Sequence, residues 1–261
     1  MTVEVLIPSS PAEAVELFGD GAGTTVIGGG TVVVPEITHG RLDPSRVLML
    51  ARAGLGGVSS EGETVTIGAA ASIESLLDLG VDALAACARN VADIEIRGQA
   101  TVGGNLCVGG SSEAPRGDLQ GCLLALGARV RSSGADGERS EPLEDFLANR
   151  GGRLVLDVSF ERPAASAYAA LEYPHTHEYT VLAVSGARTA SGETRLAATG
   201  VAGPGSRLPS AEAKASDPEA AGGAAVSDVS FADDALASAW YREQTLPVLV
   251  RRVLTQLQES A

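Results

Sequence analysis

A glycine-rich stretch from Arg97 to Ala128 carries the residue types that suit a phosphate group. Its centre is Thr101-Val-Gly-Gly-Asn105, a second glycine pair follows, and Asp118 opens an apolar helical run. Because glycine has no Cβ, successive N–H groups can turn inward as a nest for an anion, and the anion can approach closely. Asn105 adds amide donors, and the Asp118 carboxylate could accept hydrogen bonds from ribose hydroxyls or cap its helix.

A second glycine run lies nearer the N-terminus. Residues Thr24 to Ile27 are typical of a short β-strand, and they lead directly into Gly28-Gly-Gly30 and Thr31. Neither run is a G-x-G-x-x-G dinucleotide fingerprint, and neither is a P-loop, since no G-K-[ST] follows. Taken singly, either run is more often a plain turn than a phosphate site.

Taken together and in order, four motifs resemble those of a known family. They are I-G-G-G-T with a later proline (Ile27 to Pro35), R-G-x-A-T-V-G-G-N (Arg97 to Asn105), D-L-x-x-x-L-L-A-L-G-A (Asp118 to Ala128) and the C-terminal run from Asp234 to Leu254. They closely resemble the FAD-binding subunit of the xanthine dehydrogenase and carbon monoxide dehydrogenase family of molybdenum hydroxylases. The resemblance covers nearly the whole chain.

The resemblance implies an α+β fold with two domains. Residues 1–161 are expected to form a two-subdomain FAD-binding fold of the PCMH or vanillyl-alcohol-oxidase type, with subdomains at about 1–54 and 55–161. Residues 162–261 are expected to form a smaller α+β domain with an antiparallel sheet and a terminal helix. Because the two glycine runs belong to different subdomains, we expect them to face each other across a cleft.

The resemblance also implies which residues hold the cofactor. FAD would lie extended between the two subdomains, with its pyrophosphate over both glycine runs and Asp118 at its adenosine end. The implied cofactor-binding residues are Ile27, Gly28, Gly29, Gly30, Thr31, Val32, Ala100, Thr101, Gly103, Gly104, Asn105, Cys107, Asp118 and Leu154. No catalytic residue and no metal ligand is assigned to this chain.

In the family, this subunit passes electrons rather than acting on the substrate. A molybdenum-cofactor large subunit oxidises the substrate, a 2Fe–2S small subunit relays electrons, and FAD delivers them to NAD, oxygen or a quinone. The sequence fits this role because it lacks the cysteine sets that iron–sulfur clusters need. Two alternatives stay open: a stand-alone FAD reductase resembling UDP-N-acetylenolpyruvoylglucosamine reductase, and an assembly subunit that keeps the fold without transferring electrons.

The chain departs from the family pattern in three places. The loop between Asn105 and Asp118 is longer and contains a proline, so contacts at Ser111, Ser112 and Glu113 are not carried over. Glu172-Tyr173-Pro174 stands where the family often has a lysine and a second basic residue near the isoalloxazine ring. An acid at that position would lower the potential of the flavin. Leu50 stands where the family commonly has an aspartate.

Composition excludes some classes of partner. The 261-residue chain has a formal net charge of −14 and a single lysine, which argues against nucleic acid as a partner. No apolar run approaches the ~20 residues that cross a bilayer, and no secretory signal is evident, so we expect a soluble, cytoplasmic protein. Three widely spaced cysteines, Cys87, Cys107 and Cys122, are expected to be small core residues. His175 and His177 could form a metal pair or an exposed turn.

Local patterns predict most of the elements around the site. Ser10 followed by Pro11 and Glu13 predicts a helix start with a capping box, and Gly19 predicts its end. Strands are expected from Tyr168 onward as a meander, and residues 203–230 as a mobile or partly helical excursion. A terminal helix is expected after them, with Pro247 either kinking it or marking its start.

Overall fold

The structure of the chain is a computed structural model that describes residues 2–109, 116–171 and 180–260. The strands are β1 (Glu4–Leu6), β2 (Thr24–Ile27), β3 (Arg46–Met49), β4 (Val58–Glu61), β5 (Thr64–Gly68), β6 (Arg129–Gly134), β7 (Gly137–Pro142), β8 (Leu154–Glu161), β9 (Ala165–Leu171), β10 (Leu182–Arg188), β11 (Thr194–Thr199) and β12 (Ser206–Arg207). The α-helices are α1 (Pro11–Phe18), α2 (Val33–Thr38), α3 (Asp82–Arg89), α4 (Ile94–Gln99), α5 (Val102–Cys107), α6 (Leu119–Ala125), α7 (Leu143–Ala148), α8 (Pro209–Glu212), α9 (Pro218–Ala225) and α10 (Ala239–Glu259).

The first sheet is small and parallel, with the strand order β1-β3-β2. The helix between β1 and β2 begins as predicted, because the Ser10 side chain accepts a hydrogen bond from the N–H of Glu13 at 3.2 Å. The Glu13 carboxylate in turn accepts a hydrogen bond from the N–H of Ser9 at 2.7 Å, one residue earlier than in a standard capping box. Gly19, with φ of 59°, ends the helix.

The second sheet is antiparallel, with the strand order β4-β5-β8-β6-β7. One face of it packs against α3, α5 and α6 in the largest core cluster, which includes Ile67, Leu84 and Leu123. The start of β8 instead joins the core of the first unit, where Leu154 and Leu156 pack with α1. Strand β8 therefore belongs to the second sheet but also packs, through its first residues, on the unit formed by the first sheet and α1.

The third sheet, in the order β12-β11-β10-β9, is the expected antiparallel meander, and α10 covers one of its faces. Helix α10 begins at its N-cap Ser238, whose side chain accepts from the N–H of Tyr241 at 3.2 Å. Pro247 therefore lies inside the helix and does not mark its start. Gly186 of β10 lets α10 approach, since a Cβ there would clash with Val253.

The C-terminal sheet also packs against α3 and α6, so the hydrophobic core continues across the expected boundary between residues 161 and 162. The division into domains there stays a prediction. Helices α2, α4 and α5 were not expected. Helix α4 begins at its N-cap Asp93, whose side chain accepts from the N–H of Ile96 at 2.8 Å. The excursion at 203–230 is largely helical.

Among the helices of the three described segments, none combines the length and apolar character that a bilayer-spanning helix needs.

Candidate functional site

A cleft of about 690 Å³ lies between the first parallel unit and the rest of the molecule. This volume falls within the range of small-molecule and cofactor sites. Of the predicted site residues, the following line it: Gly28, Gly29, Gly30, Thr31, Val32, Ala100, Thr101, Gly103, Gly104, Asn105, Cys107, Asp118 and Leu154. Ile27 does not; it ends β2, and its side chain is buried.

The two glycine runs touch at one end of this cleft. A Cβ on Gly28 would overlap the hydroxyl of Thr101, and a Cβ on Gly29 would overlap the carbonyl oxygen of Gln99. Only glycine allows two backbones to approach this closely. The runs therefore face each other as expected, and their contact fixes the position of the first run.

The first run leaves a row of main-chain donors free. No described residue accepts a hydrogen bond from the N–H groups of Gly29, Gly30, Thr31, Val32 or Val33. Gly30 has φ of 77°, a left-handed conformation that turns the chain into α2. Unpaired N–H groups in a cleft are ready donors for an anion.

The second run differs from the open nest that the glycines suggested. It forms the first turn of α5, with Thr101 as N-cap: the Thr101 hydroxyl accepts from the N–H of Gly104 at 3.2 Å. The N–H of Gly103 donates to the carbonyl oxygen of Ala69 at 2.8 Å. Gly103 is needed for packing, because its Cβ would lie 2.8 Å from that of Ala69. Contacts of this run with a cofactor stay a prediction.

Asn105 takes the capping role that the sequence offered as one alternative for Asp118. The Asn105 Oδ1 atom caps α6 by accepting from the N–H of Leu119 at 2.9 Å. Asp118 occupies the N-cap position but makes no capping bond, so the prediction of a simple helix cap is wrong. Its side chain is buried, and Oδ1 has no hydrogen-bond partner among the described residues.

Burial also controls the charge of Asp118. Desolvation raises the pKa of this carboxyl to about 6, and hydrogen bonding from Thr180 and the charge of Arg116 oppose the rise. A buried acceptor without a partner is costly unless a ligand supplies the missing bond. Asp118 is thus a candidate contact for a hydroxyl group in the cleft.

One further residue of the cleft, Cys107, departs from the expectation of a small core residue. Cys87 and Cys122 are buried as expected, but Cys107 is open to the cleft, because it ends α5. Surrounding protein raises the pKa of its thiol to about 11, with the charge of Arg150 opposing, so the thiol stays protonated near neutral pH. This protonation disfavours a role as a nucleophile.

Arg150 is a lining residue that the sequence analysis missed. Its Nη1 lies 3.5 Å from the carbonyl oxygen of Leu106, and no described carboxylate pairs with it. The other two arginines of the cleft, Arg116 and Arg153, pair with Asp234 and Asp136. The sequence signal that could have indicated Arg150 as a lining residue is the run Arg150-Gly-Gly-Arg153, which comes just before the predicted site residue Leu154.

Several earlier predictions lie outside the described residues. These are the loop positions Ser111, Ser112 and Glu113, the flavin-end segment Glu172-Tyr173-Pro174, and the histidines His175 and His177. Leu50 is described: it is buried and lines the cleft.

Comparison with known proteins gives the family. Residues 1–160 match the family described as the FAD binding domain in molybdopterin dehydrogenase. The chain is 27% identical over 280 residues to the 6-hydroxypseudooxynicotine dehydrogenase complex subunit alpha of Paenarthrobacter nicotinovorans, covering 97% of this chain and 93% of that protein. It is 29% identical over 147 residues to the carbon monoxide dehydrogenase medium chain of Hydrogenophaga pseudoflava, covering 54% of this chain and 50% of that protein.

Solved structures share the whole fold. A chain of carbon monoxide dehydrogenase from Hydrogenophaga pseudoflava superposes with a TM-score of 0.87 at 25% identity, covering 100% of this chain and 99% of that chain. A chain of the enzyme from Oligotropha carboxidovorans gives a TM-score of 0.88 at 24% identity, with the same coverage. The expected fold class and the expected cofactor, FAD, are confirmed. The chain belongs to the family of FAD-binding domains of molybdopterin dehydrogenases.

Proposed function

We propose that the chain is the FAD-binding, electron-transfer subunit of a molybdenum-hydroxylase-type oxidoreductase complex. The observation that carries the proposal is the row of free N–H groups from Gly29 to Val33, set against Thr101 in a cleft of about 690 Å³. The FAD pyrophosphate carries two negative charges, and the chain has a net charge of −14. Backbone dipoles are the means by which such an acidic protein can bind a dianion.

The residues of the cleft fit FAD in type. The free N–H groups of the first run would donate to phosphate oxygens, and each such charge-assisted bond contributes on the order of 1.5 to 3 kcal/mol. The Thr101 hydroxyl and the free amide hydrogens of Asn105 would add donors from the other side. The Asp118 carboxylate would accept from a sugar hydroxyl. FAD when bound supplies the redox chemistry, and the protein positions it and tunes its potential.

The proposed partners follow from the relatives. One is named as a dehydrogenase complex subunit, one as the medium subunit of nicotine 6-hydroxylase and one as a carbon monoxide dehydrogenase medium chain. We infer that this chain assembles likewise with a molybdenum-cofactor large subunit and a 2Fe–2S small subunit. Electrons would pass from the clusters through FAD to NAD, oxygen or a quinone.

The first test is an absorbance spectrum of the purified chain between about 350 and 500 nm, with the cofactor released by acid and identified by mass. We expect FAD bound near stoichiometry, or taken up when FAD is added to apoprotein. A colourless chain that takes up no FAD would contradict FAD binding by the isolated chain.

The second test separates the alternatives. Co-purification with two partner chains supports the complex, whereas a monomer that oxidises NADH alone would indicate a stand-alone reductase. In a rapid-mixing experiment on the complex, we expect the partner iron–sulfur clusters to reduce the bound FAD. A complex that binds FAD but never reduces it would indicate the assembly role instead.

A further inference from the structure

Beside the cleft, two buried arginines share one carboxylate, Asp234, whose side chain is 29% exposed. Asp234 accepts a hydrogen bond from Arg242 Nη2 at 2.6 Å, and its second oxygen pairs with Arg116 Nη2. Arg116 and Arg242 are 6% and 1% exposed. Both also donate to the carbonyl oxygen of Val181, at 3.0 and 3.1 Å. The cluster thus joins Arg242 of α10 to Val181, just before β10, and to Arg116, which lines the cleft.

Arg116 stands between two acids. It lines the cleft two residues before Asp118, whose Oδ1 atom is buried without a partner in the described part of the chain. Yet its guanidinium is committed elsewhere: Nη1 donates to the carbonyl oxygen of Thr180 at 2.8 Å, and Nη2 pairs with Asp234. Removing Asp234 would leave the buried guanidinium of Arg116 without its carboxylate partner, and an uncompensated buried charge is costly.

The charges favour the pairing with Asp234. Partial burial acts to raise the pKa of Asp234, but hydrogen bonds from Arg242 and from the N–H groups of Leu236 and Ala237, with the charge of Arg116, hold it at about 2. Asp234 is therefore ionised whenever the protein is folded near neutral pH. Asp118, desolvated and with a pKa of about 6, is the weaker competitor for the guanidinium.

We propose that Asp234 is a positioning residue: by holding Arg116, it keeps the Asp118 carboxylate free to accept hydrogen bonds from the cofactor. The inference rests on the proposed function, because it concerns the same FAD cleft. Without Asp234, the Arg116 guanidinium would turn to Asp118 and compete with the cofactor for its oxygens.

Two other titratable groups of the described residues, Cys87 and Tyr168, lie near Asp118 and stay neutral in this pH range. The Cys87 thiol donates to the main-chain oxygen of Asp118 at 3.4 Å, and its hydrogen bond with Cys122, together with burial, raises its pKa well above the usual value. Burial likewise raises the pKa of Tyr168 well above its usual value. Among the described residues, Arg116 is therefore the charged group that acts on the ionisation of Asp118.

The test compares Asp234→Asn, the double variant Asp234→Asn/Arg116→Met, and the matched control Asp233→Asn. Asp233 is the neighbouring carboxylate, and it accepts from the N–H of Ala239 at 2.6 Å without touching an arginine. The FAD dissociation constant is measured by flavin fluorescence from about pH 5 to pH 8.

We expect D234N to bind FAD at least about fivefold more weakly than wild type near pH 7.5, and the double variant to recover most of that loss. Wild-type affinity should fall as pH drops through about 6, where Asp118 takes up a proton. In D234N this midpoint should move to lower pH, because the guanidinium stabilises the ionised carboxylate. D233N should match wild type.

Two results would overturn the inference: D234N binding FAD as D233N does, or the double variant binding more weakly than D234N. If D234N does not fold, Arg116→Met alone decides. We expect its affinity near pH 8 to stay within about threefold of wild type; a larger loss would mean that Arg116 itself holds the cofactor. A wild-type chain that binds no FAD at any pH would overturn the proposed function, and this inference with it.

Discussion

The two glycine runs have similar composition but do different things. Gly28 to Gly30 follows a strand and stays outside regular structure, and the five N–H groups from Gly29 to Val33 have no acceptor in the described chain. Thr101 to Asn105 folds into a helical turn, and the N–H groups of its glycines are bonded to protein oxygens. Glycine serves the first run by freeing donors and the second run by allowing close packing against Ala69.

This difference separates two ways of building a phosphate site. In the first run the main chain itself would bind the anion. In the second run the helix positions side chains, namely the Thr101 hydroxyl and Asn105, while its backbone is used internally. Substitutions in the two runs should therefore affect stability and FAD affinity in different proportions.

The largest effect is expected at the contact between the runs. In Gly29→Ala the new Cβ would overlap the carbonyl oxygen of Gln99, so one backbone must move. We expect the free energy of unfolding to fall by about 3 kcal/mol or more, and FAD binding to be lost. Urea unfolding and FAD titration measure both.

The matched control for this variant is Gly98→Ala, one residue from Gln99 in α4. A Cβ there meets nothing within 4 Å, so we expect a gain of about 1 kcal/mol from helix propensity. If G29A were as stable as wild type and bound FAD, the close contact between the two runs would be wrong.

Asp118→Asn tests the side-chain half of the comparison. The pKa of Asp118 is about 6 in the folded chain against a usual value of 3.8, so the folded state holds the proton more tightly. The Asp118 carboxyl therefore adds to the free energy of unfolding at low pH, and this contribution is lost as pH rises from 3.8 through about 6. Near pH 8 the variant apoprotein should be about 2 to 3 kcal/mol more stable than wild type.

The gain should vanish below about pH 3, where Asp118 is protonated in both the folded and the unfolded state. FAD should bind about tenfold more weakly to the variant. Urea unfolding at several pH values, with FAD titration at pH 8, gives both quantities. A D118N protein that is less stable than wild type near pH 8 would show that the carboxylate has an unseen partner.

A pair of variants, one in each glycine run, compares the loss of stability with the loss of FAD affinity. Gly103→Ala places a Cβ 2.8 Å from that of Ala69 and should cost about 2 kcal/mol of stability, with little change in the FAD affinity of the folded protein. Gly30→Ala, at φ of 77°, should cost about 1 kcal/mol of stability but weaken FAD binding more than tenfold by displacing the free N–H row. The reverse pattern would contradict the distinction between the runs.

The smallest effect is expected at Arg150. Arg150→Gln removes a cleft cation that no described carboxylate neutralises, and FAD affinity should fall about fivefold at low salt and less at high salt. Arg129→Gln makes the same charge change outside the cleft, where Arg129 donates to the Ser140 carbonyl oxygen, and should leave FAD affinity unchanged. If the two variants lowered FAD affinity equally, the cause would be the change in net charge of the protein and not a local contact of Arg150 with FAD.

Local chemistry made part of this architecture predictable. The Ser10 cap, the strand leading into Gly28 and the apolar stripe of α10 depend on neighbours within a few residues. Helix α5 was not predictable, because a glycine pair normally favours a loop and only the packing against Ala69 explains it. The pairing of Arg116 with Asp234 joins residues 118 positions apart, and nothing in the local pattern of either indicates it.

In the candidate site, too, one part was predictable from the sequence and another was not. Its positions followed from motif resemblance, and all but Ile27 line the cleft. The capping of α6 by Asn105 and not by Asp118 did not follow, because it depends on which side chain reaches the end of that helix. Sequence patterns indicate where donors are; three-dimensional packing decides which of them are free.

A crystal structure of the chain with FAD tests the central claim most directly. We predict pyrophosphate oxygens within about 3 Å of the N–H groups of Gly29 to Val32, with the N–H of Gly103 still bonded to Ala69. A pyrophosphate bound instead to the backbone of α5, with the Gly29 to Val32 donors left unbonded, would contradict the account.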